Sequence, residues 1–145
     1  LTKSLLLDEG RAANYGAATV SPLLAGNFAG MVVEALGTFS LVLVILAVAM
    51  GAKAIKDWAP LAIGLTFGVI GMVFGPPTGA SVNPARWFGP SLVSGEWGGV
   101  WPYLVGPIVG ALLAVAFFKF VIAKGEADAG GPPIEPPTPA SGGKV

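Results

Sequence analysis

The chain reads as an all-α membrane protein, with three helices that each cross a bilayer and one short re-entrant half-helix that enters it part-way. Two observations predict this. Hydrophobic residues make up 54% of the sequence and charged residues 11%, whereas soluble domains carry roughly a quarter charged residues, so lipid is the main solvent here. The second observation is Arg86, set between two apolar stretches long enough to span. A guanidinium in hydrocarbon costs about 2.5–3.5 kcal/mol even on a lenient scale, so it normally faces protein or a water-filled path.

Composition also excludes several classes. Formal net charge is zero and histidine is missing, which removes nucleic-acid steering, a neutral-pH histidine switch and imidazole metal ligation. The sequence has no cysteine, so disulfides and thiol chemistry are ruled out while the redox compartment stays open. It shows no nucleophile–base pair, phosphate-cradling loop or metal-ligand cluster, and Asp8 and Glu9 read as solvated acids of a polar loop. Neither an enzyme nor a bound cofactor or metal is expected.

The elements follow in order. Residues 1–26 are expected to hold the end of a preceding helix and a connector; residues 1–7 fit a short amphipathic start equally well. The chain begins Leu1-Thr2-Lys3, without the basic, apolar, small-residue order of a secretory signal. A membrane unit occupies residues 27–124. Its first span, 27–50, is apolar apart from Glu34 and small or hydroxyl residues, with Asn27 as the expected N-cap. From Phe28 onward it reaches about 34 Å at 1.5 Å per residue, enough to cross.

After a polar connector at 51–57, Trp58 and Pro60 open the second span, 59–75. Proline in a first turn gives up only an N–H that has no helical partner there. The run Gly75-Pro76-Pro77-Thr78-Gly79 is expected to stop this helix. The third span, 100–123, starts with Trp97, Trp101 and Tyr103 at headgroup level, and Lys119 and Lys124 can snorkel at its far end. Residues 125–145 are proline, glycine, alanine and acid without a periodic apolar face, and read as a disordered tail. Lys53, Lys56 and Lys124 place that tail and the 51–57 connector on the cytoplasmic side, against a weaker contribution from Lys3 and Arg11. The pairs Gly64 and Gly68, Gly71 and Gly75, and Gly106 and Gly110 have the spacing that lets helices approach closely in lipid.

Between spans two and three, Asn83-Pro84-Ala85-Arg86 has the grammar of a helix start: asparagine caps and proline takes the first position. Residues 83–94 are too few to cross. Non-helical backbone is tolerated at membrane depth only where protein or water surrounds it, so a glycine-rich approach to a short helix predicts a re-entrant segment with its N-terminus pointing inward. There the free N–H groups, worth about half a positive charge, face the midplane. Asn83 can donate to a passing oxygen, and Arg86 adds fixed positive charge that disfavours cations and protons. The carbonyls of Gly79, Ala80, Ser81 and Val82 can accept in return, replacing the water partners of a neutral solute.

The surrounding pattern, Gly79-Ala80-Ser81-Val82-Asn83-Pro84-Ala85-Arg86-Trp87-Phe88-Gly89-Pro90, resembles the second signature loop of the aquaporin and glycerol-facilitator family. Glu34-Ala35-Leu36-Gly37-Thr38-Phe39 resembles that family's fourth helix, residues 59–65 its fifth, and Val105-Gly106-Pro107-Ile108-Val109-Gly110 its sixth, so residues 27–123 are covered. The resemblance implies one repeat of an inverted-repeat fold, in which two Asn-Pro-Ala half-helices meet at the midplane. One is present, so the chain is expected to be the second half of a pore that needs an N-terminal half.

By position, the resemblance makes Asn83, Pro84 and Ala85 the pore midplane, Arg86, Gly71 and Ala80 members of the selectivity filter, and residues 79–82 the pore-lining carbonyls. Glu34 becomes a support behind the pore that accepts N–H bonds from residues 79–82. Water-restricted members carry histidine at the position of Gly71. Glycerol-type members pair glycine there with an aromatic residue at Ala80 and aspartate at Trp87. This chain follows neither pattern, and Tyr103 and Leu104 are mixed, which leaves water alone and water with small polyols such as glycerol both open. The implied setting is a homotetramer in the lipid bilayer of the cell membrane, passing water and small neutral solutes. The alternative is a non-conducting three-span subunit that pairs with another membrane polypeptide.

Overall fold

In the computed structural model, which describes residues 7–51, 54 and 56–131, every regular element is helical. The helices are α1 (Leu7–Ala12), α2 (Gly26–Met50), α3 (Ala59–Thr78), α4 (Pro84–Ser94), α5 (Val100–Phe117) and α6 (Lys124–Asp128). A π-helical segment, Phe118–Ala123, joins α5 to α6, and single 3-10 turns lie at Asn14–Gly16 and Lys56–Trp58. The stretches Gly26–Met50, Lys56–Thr78 and Val100–Asp128 are each long and apolar enough to cross a membrane. Large apolar side chains along all three, among them Phe28, Leu65, Met72, Leu112 and Phe120, are exposed. Water-facing monomers rarely carry apolar surface on that scale.

Helix α2 is the hub, packing on α5 along one side and α3 along another. Small residues set both crossings. A Cβ on Gly106 would lie 2.8 Å from the Met31 carbonyl oxygen, and one on Gly110 would meet the carbonyl of Ala35, so α5 touches the backbone of α2. On the other side, a Cβ on Gly37 would meet Val82, Phe74 and Ile70. Close backbone approach between membrane helices depends on such positions. Gly64, Gly68, Gly71 and Gly75 behave differently: a Cβ there would have nothing within 4 Å. Among the described residues α3 meets α2 through Ile70 and Phe74, and these four glycines meet no other element.

Three boundaries differ from the sequence expectation. Helix α2 starts at Gly26, with Ala25 at the cap position and no side-chain capping bond, so Asn27 lies inside the first turn. A tight turn delivers the chain one residue early, with Leu24 N–H donating to Ser21 O at 3.0 Å and Gly26 N–H to Leu24 O at 2.7 Å, while Gly26 takes φ +79°.

Helix α3 passes through Pro76 and Pro77 and ends at Gly79, which adopts a left-handed φ of 80° and donates to Gly75 O at 2.7 Å. Pro76 and Pro77 give up the N–H groups that would have reached the carbonyls of Met72 and Val73, and the carbonyls left over at the helix end find tertiary donors: Ser21 N–H reaches Pro77 O at 2.8 Å, and the Tyr103 hydroxyl reaches Thr78 O at 2.8 Å.

At the other end, Lys124–Asp128 is helical although disorder was expected from residue 125. Extending an existing helix needs no new nucleus. Residues 132–145 of the expected tail lie outside the described residues, as do Lys53 and all but Leu7 of the expected helix end at 1–7.

Candidate functional site

The loop from Gly79 to Asn83 lies against the middle of α2. Asn83 is extended, with φ −155°, and its side-chain oxygen accepts from the N–H of Ala85 at 2.8 Å and of Arg86 at 3.4 Å. Those bonds take the oxygen; the Asn83 amide nitrogen has no hydrogen-bond partner among the described residues, and the residue is exposed. Pro84 fills the first turn of α4. The Val82 carbonyl lies 3.3 Å from the hydroxyl of Thr38, and Thr38 stands midway along α2 (Gly26–Met50). The N-terminus of α4 therefore sits at half the depth of a spanning helix; the free N–H groups expected there are corrected, because Pro84 has none and Asn83 accepts from those of Ala85, Arg86 and Trp87, so the helix dipole alone supplies partial positive charge.

Glu34 holds this loop in place. Its side chain is 1% exposed. One carboxyl oxygen accepts from the Thr78 hydroxyl at 2.6 Å and from Ser81 N–H at 3.0 Å; the other accepts from Val82 N–H at 2.6 Å. The clamp holds the backbone in an unusual shape, with Ala80 and Val82 both at φ 45°. A β-branched residue is a genuine outlier in that region. With the N–H groups turned inward, the carbonyls point elsewhere. That of Gly79 accepts from an Arg86 guanidinium nitrogen at 3.2 Å and that of Val82 faces Thr38, while those of Ala80 and Ser81 accept no hydrogen bond among the described residues.

The residues assigned to the filter divide. Gly71 and Arg86 are exposed, whereas Ala80 is 4% exposed and packs with Ile70 and Val82. The Ala80 methyl group is thus taken up by packing, and its carbonyl is the group left without a partner among the described residues.

Four residues that shape this loop have no role assigned by the local sequence. Thr78 and Thr38 supply hydroxyls to the clamp, and Tyr103, fully buried, ties α5 to the end of α3. Trp87 is the fourth such contact: 3% exposed, it stacks on Tyr103 at 5.8 Å and meets Trp97 edge-on at 5.8 Å. None has a local signal, since each depends on a partner more than 20 residues away or on the burial of α4. The nearest hint is the aromatic cluster at 97–103, which the reading assigned to the headgroup region; Tyr103 is inside the protein instead, because its hydroxyl has a carbonyl to serve.

A family model described as major intrinsic protein matches residues 3–118. The chain belongs to that family. Similar curated proteins include Aquaporin NIP1-1 of Zea mays, 49% identical over 63% of this chain and 32% of its own length. Probable aquaporin TIP2-2 of Oryza sativa subsp. japonica is 42% identical over 70% of this chain and 42% of its own length. Probable aquaporin TIP4-2 of the same organism is 44% identical over 80% of this chain and 47% of its own length. The chain thus spans less than half the length of these relatives. With its three apolar helices, this major intrinsic protein is an integral membrane protein.

Proposed function

We propose that this chain forms the second half of a passive transmembrane pore for water, open also to small neutral solutes of glycerol size. The observation that carries the reading is the Asn83 amide nitrogen, exposed and unpaired among the described residues at half the depth of α2, with the Arg86 guanidinium nearly one turn further along α4. Such a face offers donors from Asn83 and acceptors from the Ala80 and Ser81 carbonyls, so a neutral molecule exchanges its water partners in sequence. The α4 dipole and Arg86 add positive charge, which repels cations and protons. Family membership favours a channel over an enzyme.

A second Asn-Pro-Ala half-helix from an N-terminal half would close the lumen, with the assembly tetrameric in the cell membrane and the C-terminal residues cytoplasmic. Gly71, with open space beside its Cα, gives the constriction its width. The test is stopped-flow light scattering on proteoliposomes of the complete protein. Osmotic shrinkage should be fast with a low activation energy, and ion conductance should be missing. Shrinkage no faster than in protein-free vesicles would remove the pore and leave the non-conducting subunit.

A further inference from the structure

We propose that the Trp87–Tyr103 ring pair is a strut that positions the Arg86 end of the pore, and so helps to set which neutral solutes pass; the inference rests on the pore reading above. Arg86 and Trp87 are neighbours on α4, about 100° apart around the helix. One side chain is exposed and the next is buried. The buried ring lies nearly parallel to Tyr103, 5.8 Å between centroids and 14° between planes. Tyr103 in turn donates from its hydroxyl to Thr78 O at 2.8 Å, one residue before the Gly79 carbonyl that accepts from Arg86 at 3.2 Å. The path closes on itself: Arg86 to Gly79, Thr78 to Tyr103, Tyr103 to Trp87, and back to Arg86 through one peptide bond.

Surrounding residues hold the strut. Ala18 shares a buried cluster with the two rings, Val20 packs against that cluster, and Trp97 meets Trp87 edge-on. A Cβ on Gly99, where φ is +72°, would lie 3.2 Å from the Tyr103 ring, so the absence of a side chain there makes room for it. The indole nitrogen of Trp87 is buried without a hydrogen-bond partner among the described residues. An orphaned donor is a cost, so this indole serves the site through its ring face and not through its N–H. Phenylalanine should therefore replace Trp87 in function, whereas alanine should not.

The test compares the complete protein with Trp87→Ala, Trp87→Phe and Tyr103→Phe in proteoliposomes, reading glycerol and water permeabilities side by side. For Trp87→Ala and Tyr103→Phe the glycerol-to-water ratio should rise about threefold or more, the size expected from freeing one hydrogen-bonded carbonyl. Trp87→Phe should keep the ratio of the unaltered protein. A merely structural role would lower both fluxes together with the amount of folded protein and leave the ratio alone, and that result overturns the strut. Should Trp87→Ala fail to fold, Tyr103→Phe decides, since it removes only a hydroxyl. Unaltered protein that passes no water overturns the pore reading and the strut with it, whereas a conducting protein with unchanged ratios overturns the strut alone.

Discussion

Glu34 and Val82, 48 residues apart, are joined by a 2.6 Å hydrogen bond from the Val82 N–H to a Glu34 carboxyl oxygen. The bond resolves two local conflicts together. A buried acid needs donors, and a valine at φ 45° needs something to hold it there. Left-handed strain in a non-glycine residue costs of order 1–3 kcal/mol and persists only where surrounding contacts over-determine it. Glu34 supplies those contacts through Val82, Ser81 and Thr78.

Glu34→Gln should accordingly loosen the loop. The amide presents a donor where the carboxyl accepted, leaving one N–H of the clamp facing another donor. A loss of about 1.5–3 kcal/mol is expected, the value of a hydrogen bond to a charged group. Thermal unfolding in detergent checks it through a lowered midpoint, together with reduced water flux per folded protein.

Arg86→Ala removes the guanidinium that donates to Gly79 O at 3.2 Å and with it the fixed charge of the proposed filter. Exclusion of protons and larger solutes should weaken more than water flux falls. Proton leak and water permeability measured on the same vesicles distinguish the two effects.

Gly71→His should narrow the constriction, because a Cβ at Gly71 has nothing within 4 Å and can project into the open face without disturbing packing. Glycerol permeation is expected to drop while water permeation persists. Equal loss of both would show the position lies elsewhere than at the narrowest point.

Gly110→Ala acts on the scaffold instead. Its methyl group would collide with the Ala35 carbonyl, forcing α5 off α2 at a cost of about 1–3 kcal/mol, typical of overpacking. The expected readout is a lower unfolding midpoint in detergent.

What the sequence disclosed depended on how local the chemistry is. The Asn83 cap and the proline after it act within one turn, and the α4 start follows from them. The spans follow from composition alone, since an apolar run of that length has few other fates. The end of α3 was hidden because Gly75-Pro76-Pro77 is a local stop signal, yet the helix runs to Thr78 and its last carbonyls pair with distant donors, Ser21 and Tyr103, that no local pattern shows. Trp87 was hidden for a similar reason, as its burial depends on how α4 packs against α5. The glycine pairs looked alike in sequence, and among the described residues only Gly106 and Gly110 meet a helix, because spacing does not reveal which face is turned inward.

Gly71, Asn83 and Arg86, all exposed, should be wetted by one lumen in the complete protein, and thiol labelling measures this most directly. This chain has no cysteine of its own, so Gly71→Cys can be compared with Leu112→Cys, an exposed residue of α5 expected to face lipid. A small water-soluble thiol reagent should modify position 71 rapidly and cut water flux, and leave position 112 unmodified. Position 71 inert to the reagent, or modified with water flux unchanged, would contradict the account.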